Sequence, residues 1–206
     1  MHPYLPPLPP LPGEDDDYRY RPAGRSIIAL LSEEHQQIAD LSAELAGTVD
    51  RRRDLADVMT AAITRHLSAE EQYLYPAVRA LLPDGEQIAD REIHHDTIIL
   101  KHLALLETVD AEGQSFHELA ATIEDDLRTH RQNCAEEIFP RLSKVAPEAD
   151  LIRLGNRVEL AEEAAPTRPH PSHVDAPWNK VTDPALGIVD KFRDVVAGRL
   201  TYPEDL

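Results

Sequence analysis

The chain predicts an all-α fold: an up-down-up-down four-helix bundle with a proline-rich N-terminal arm and a C-terminal extension carrying a short helix. Three observations predict it. Of 17 prolines, seven lie in residues 1–22 and six between 166 and 203, so the long middle is nearly free of helix breakers. That middle carries apolar residues at three- and four-residue spacing in four successive runs. Aromatics make up only 5% of residues while leucine and alanine abound, a composition that favours helices.

Residues 1–25 form the arm, whose alternating prolines and leucines favour extended polyproline II structure. Helix one starts at a Ser26 cap and runs through Ile27, Leu31, His35, Ile38, Leu41 and Leu45 to a stop at Gly47. Helix two covers about 51–82 and ends at Pro83. Helix three opens on Asp84 and Gln87 at capping-box spacing and carries Ile88, His95, Ile99, His102, Leu106 and Val109 before Gly113. Helix four opens on the Ser115/Glu118 box, carries Leu119, Ile123, Leu127, His130, Cys134, Glu137 and Leu142, and ends before Pro147. Residues 26–147 are therefore the bundle and 148–206 the extension. Within the extension a short helix over about 184–198 gathers Ile188, Phe192, Val195 and Val196 on one side, a face that packs back onto the bundle or onto a partner.

Charge excludes several function classes. A net charge of −17 argues against a nucleic-acid or anionic-membrane surface, since phosphates demand a basic patch. The single Cys134 rules out an intrachain disulfide and with it any sign of an oxidising compartment. The amino terminus lacks a basic segment followed by an apolar run, and no stretch approaches the roughly 18 consecutive apolar residues of a membrane span. A cytoplasmic protein is expected. No glycine-rich phosphate loop or serine nucleophile elbow is present.

Histidines carry the chemistry. Seven of ten fall in the helical region, and His35, His66, His95 and His130 each stand where a leucine would extend an apolar stripe. A buried imidazole without a partner costs on the order of 1–3 kcal/mol, so four on four inward faces predict a shared purpose at one volume of the bundle. His66 and Glu70, four residues apart, stand one above the other on a helix and reach one metal ion or a bridged pair. Imidazole with carboxylate suits iron, manganese or zinc. Glu34, Glu71 and Asp96 are candidates to orient the imidazoles. The chain also says something twice: HLSAEEQYLYP at 66–76 and HRQNCAEEIFP at 130–140 each put a histidine ten residues before a proline. Pro76 and Pro140 are expected to bend or end their helices one turn beyond the site.

EEHQQI at 33–38, HLSAEEQYLYP at 66–76, IHHDTI at 93–98 and HRQNCAEEIFP at 130–140 resemble, in order, the four ligand-bearing segments of hemerythrin-like proteins with the HHE cation-binding domain. The segment TRPHPSHVDAPWNKVTDP at 167–184 is similar to the extension of actinobacterial members. The resemblance implies two non-haem irons bridged by a carboxylate and an oxygen species. Members bind or sense dioxygen, respond to nitric oxide or peroxide, or report iron level. Carried over residue by residue, His35, His66, Glu70 and His130 match, and His95 is preferred on helix three, where His94 stands beside it. His102, two turns on, is an additional candidate.

On helix four, Cys134 and Ala135 replace the expected carboxylate; Glu137 follows one turn later, Tyr73 holds the equivalent place on helix two, and Cys134 is itself a candidate ligand. Two irons are implied, with a single ion as the alternative. The expected function is a non-haem iron protein that binds a small diatomic or peroxide ligand. The alternatives are a catalase-like peroxide-consuming enzyme and a metal-free bundle acting as an interaction module. Sequence names no protein partner.

Overall fold

Ser26 sets the start of α1 (Ile27–Gly47), its Oγ accepting from the Ala29 backbone N–H at 3.2 Å. The computed structural model describes residues 22–48, 50–169 and 184–206; residues 1–21 of the expected arm, and His2, His170 and His173, lie outside them. α2 (Arg52–Ala69) passes through a π-helical turn (Glu70–Leu74) into α3 (Tyr75–Leu81). α4 (Gly85–Leu106) is followed by α5 (Gln114–Asn133), a second π turn (Cys134–Ile138) and α6 (Phe139–Val145). The described residues form an all-α bundle and contain no strand.

Helix three opens at Asp84 as expected but without its side-chain cap, and two boundaries differ from expectation. The Asp84 carboxylate caps nothing, because it is engaged by the Arg141 guanidinium, at 3.2 Å for one of the two contacts. Gly113 rather than Ser115 precedes α5, which places Ser115 inside the first turn. Helix three ends at Leu106, short of Val109.

Pro76 and Pro140 neither end nor break their helices. Each sits at the second position of the α-helix that follows a π turn, where the backbone N–H of Tyr75 reaches Glu70 O and that of Phe139 reaches Cys134 O. The extra residue in the turn moves the proline ring clear of the preceding carbonyls, so the helix continues.

The C-terminal extension holds a long helix that sequence periodicity did not isolate, α7 (Glu148–Ala164). Its Leu151, Leu154 and Val158 join Ile27, Leu30 and Leu31 of α1 in one apolar cluster. Gly155 permits the approach, because a Cβ there would collide with the Arg25 carbonyl. Arg25 then reaches Glu159 at 3.0 Å. On α8 (Pro184–Ala197) two residues of the expected face, Val195 and Val196, are exposed, while Asp190 and Asp194 are buried; the side chains of Ile188 and Phe192 lie outside the described ones. Arg168 at 2.7 Å and Arg199 at 3.4 Å pair with Asp194 on the inner side of this helix.

Two apolar clusters make the core. One contains Leu31, Ala69, Ala89 and Cys134; the other contains Ile38, Ile63, Ile99 and Leu127. On each helix the polar layer falls between them: His35 between Leu31 and Ile38, His130 between Leu127 and Cys134. Among the described residues no helix is long and apolar enough to cross a membrane.

Candidate metal centre

α1, α2 and α5 each push one imidazole into the layer between the apolar clusters. His35, His66 and His130 are buried, and Glu70, at the first position of the π turn, is fully so. The three rings meet edge to face, with centroids 4.6 Å apart for His35 and His66, 5.1 Å for His35 and His130, and 5.8 Å for His66 and His130. Their Nε2 atoms converge on the Glu70 carboxylate at 3.8, 3.5 and 3.1 Å respectively. None of these Nε2 atoms has a hydrogen-bond partner. Three orphaned buried nitrogens beside a carboxylate are costly unless a cation joins them. His35, His66, Glu70 and His130 each offer a donor atom within 4.8 Å of the others, a set that fits a metal ion.

Nearby groups hold these rings. His66 Nδ1 stands 2.8 Å from Glu34 Oε2. His130 Nδ1 lies 3.3 Å from Asp96 Oδ1, off the line of a good hydrogen bond. Tyr75 Oη, one π turn beyond Glu70, is 2.6 Å from Asp96 Oδ2 and 2.9 Å from Glu70 Oε2. Its single proton serves one carboxylate at a time. Burial, with Glu70 adding repulsion, raises the Asp96 pKa, so of the two carboxylates Asp96 keeps a proton more readily than Glu70.

The electrostatics of the cluster centre on Glu70. Burial by itself would raise Glu70, yet His130, His66 and His35 hold its carboxyl below the ordinary range. Burial lowers imidazoles, but Glu70 with Glu34 raises His66, and Glu70 with Asp96 raises His130 well above the usual value. His35 is held well below it by burial and by His66. The raised His66 and His130 and the lowered Glu70 all run in the sense that favours positive charge beside this carboxylate.

On helix three the structure departs from expectation. The inward stripe of α4 is Ile88, Glu92, Asp96, Ile99, Leu103 and Leu106, all buried. His95 lies beside that stripe, 18% exposed, with Nε2 3.9 Å from Asp126 Oδ1. It joins Glu92 and His130 in a second group whose donor atoms lie within 4.8 Å of one another. Glu92 went unnoticed in the sequence; its signal was the four-residue spacing to Asp96 and the stripe they share.

The other named residues stand apart. Glu137 is 36% exposed and pairs with Arg91 at 2.7 Å and Arg141 at 3.5 Å, away from the imidazoles. His102 Nδ1 is engaged by Asp126 at 2.9 Å, and His94 is exposed. Tyr73 packs, half-buried, against the first apolar cluster. Cys134 Sγ is 3.8 Å from Glu70 Oε1, and burial together with Glu70 raises its pKa, keeping it a thiol. Glu71, pushed up to about 7 by burial and by Asp96, is half-buried and reaches none of the imidazoles.

A helical bundle with three imidazoles and a carboxylate buried on its axis defines a metal-site protein of the four-helix class. The family model for the Hemerythrin HHE cation binding domain matches residues 26–142, more than half of the chain, and the chain belongs to that family. A solved structure similar to it is that of a hemerythrin HHE cation-binding domain-containing protein from Mycobacterium kansasii. The TM-score is 0.60 at 17% identity, over 68% of this chain and 86% of that one, a likeness of fold. A comparison with curated proteins finds no match.

Proposed function

We propose that His35, His66, Glu70 and His130 hold one iron ion tightly, and that the protein uses it to bind or sense a small oxidant such as dioxygen, peroxide or nitric oxide. The observation that carries this reading is the set of three orphaned Nε2 atoms around one buried carboxylate. Held there, iron would supply an open coordination position and a change of oxidation state. The chain supplies the rest. Glu34 accepts from His66 and fixes the tautomer that turns Nε2 inward. Tyr75 positions Glu70, and the two apolar clusters keep bulk water from the layer between them.

Glu92 and His95 form a second, weaker place for an ion, because they share His130 with the first set and His95 stands at the rim. The expected pair of irons thus becomes one ion bound firmly and one bound loosely. Metal analysis of the full chain from iron-replete cells, dialysed against a weak chelator, tests the reading. About one iron per chain, lost in His66→Ala, is expected. Iron absent from the unsubstituted chain would instead favour a metal-free interaction module.

A further inference from the structure

An apolar groove of about 130 Å³ runs between α3 and α7, away from the imidazoles. Its walls include Tyr73, Pro76, Leu81 and Leu154, with Asp150 and Arg157 at its rim. At roughly 30 Å³ per water-sized unit, it has room for about four heavy atoms, the size of one leucine side chain. Asp150 meets Arg153 at 3.0 Å. Arg157 is exposed and forms no ion pair among the described residues, and the half-buried Tyr73 has no hydrogen-bond partner for its phenol among them.

The sequence holds a segment that matches this groove. Residues 5–12 read LPPLPPLP, so leucines recur at 5, 8 and 11. Three residues make one turn of polyproline II, which puts the three leucines on one face and leaves the backbone carbonyls without internal hydrogen bonds. Such helices dock in grooves lined by aromatic side chains. The segment also arrives at the right helix. Pro22 is buried, and the Ala23 carbonyl accepts from Asn156 Nδ2 of α7 at 3.0 Å. Asn156 meets Gly24, while Arg157, the next residue, stands at the groove, so the chain has only to cross α7 to reach it. Residues 13–21 at about 3.1 Å each span roughly 28 Å, against a helix diameter of about 10–12 Å. On that path Glu14, Asp15, Asp16 and Asp17 pass the uncommitted Arg157.

We infer that residues 5–12 lie as a polyproline II strap in the α3/α7 groove of their own chain, leucines inward. Tyr73 donates to a strap carbonyl, and Arg157 faces the acidic run at 14–17. Tethering favours this occupant over a second copy or a separate proline-rich partner, because a short linker holds the segment at a local concentration of about millimolar.

The test is disulfide trapping in the full chain. Pro9→Cys leaves the three leucines in place, Ala146→Cys stands on the groove wall, and the native Cys134 is buried with a raised pKa, out of the exchange. In an oxidised-glutathione buffer this pair should close within one chain about tenfold faster than Pro9→Cys with Val195→Cys, an exposed site on α8. Adding Tyr73→Ala should slow closure about fivefold, and adding Arg157→Glu about threefold, the latter effect fading at high salt. Helicity is measured on every sample. Folded chains whose two pairs close at equal rates overturn the inference, as does closure indifferent to Tyr73 and Arg157. Cross-linking into dimers instead overturns it by assigning the groove to the segment of a second copy.

Discussion

Residues 66–76 and 130–140 repeat one backbone device at an interval of sixty-four residues, and they fill it differently. In each, a buried histidine precedes a π turn, an aromatic residue closes the turn, and a proline follows at the second position of the next helix. The first copy opens its turn with Glu70 and closes it with Tyr75, whose phenol bonds that glutamate. The second opens with Cys134 and closes with Phe139, whose ring stacks on His35 with centroids 5.9 Å apart. Backbone and site are therefore separable: a π turn aims a side chain at the bundle axis, and its chemistry decides whether a ligand arrives there. One copy delivers a carboxylate, the other a thiol and a phenyl ring, and the centre is lopsided.

The largest expected effect tests which copy dominates. Glu70→Ala removes the carboxylate on which three imidazoles converge, and should weaken iron binding more than about a hundredfold by chelator competition. His95→Ala, on the helix facing the second copy, should weaken it less than about tenfold. Equal losses would break the comparison, because they would make the Glu92 and His95 group as firm a holder as the Glu70 set.

Copying the first half's chemistry into the second is the next test. Cys134→Glu places a further carboxylate beside Glu70 in a layer that already buries Glu92 and Asp96. In metal-free protein the cost should be roughly 3 kcal/mol, read by urea denaturation. A neutral result would mean that the second turn is already shaped for a charged group. Tyr75→Phe works in the other direction, since it gives the first turn the ring of the second. Glu70 and Asp96 then lose the hydroxyl at 2.9 and 2.6 Å, at a cost of about 2 kcal/mol in the same measurement.

Much of this lopsidedness was legible in the sequence. Periodicity placed the four bundle helices, and the stripe positions of His35, His66 and His130, with Glu70 one turn on, marked the donors the structure brings together. Helix three was misjudged because His94, His95 and His102 drew the stripe toward imidazoles. The 88, 92, 96, 99, 103, 106 spacing shows that two carboxylates are what the bundle buries. The π turns were illegible for a different reason. A proline within a helical pattern reads as a stop, and only the hydrogen bonds of Tyr75 and Phe139 five residues back reveal the inserted residue. α7 escaped notice because Pro147 reads as an end, whereas here it stands at the N-cap of the next helix.

α7 adds a last asymmetry, since it packs on α1, α2 and the first π turn and so covers the Glu70 half. It brings Glu162 against Glu34, the residue that holds His66. Burial, then the neighbouring Glu34, pushes the Glu162 pKa up to about 8, against an ordinary value near 4.5. Below the ordinary value the carboxyl is neutral in folded and unfolded chains alike. As pH rises from there the unfolded chain ionises freely while the folded one keeps its proton until about 8, so stability falls across that window. Glu162→Gln removes the penalty. Its stability should match that of the unsubstituted chain near pH 4.5 and exceed it at pH 8.5 by about 1 kcal/mol, a figure reduced because the group keeps some contact with solvent. A gap that stays constant with pH would show that the two glutamates share no proton, and that α7 covers the Glu70 half without altering its charge.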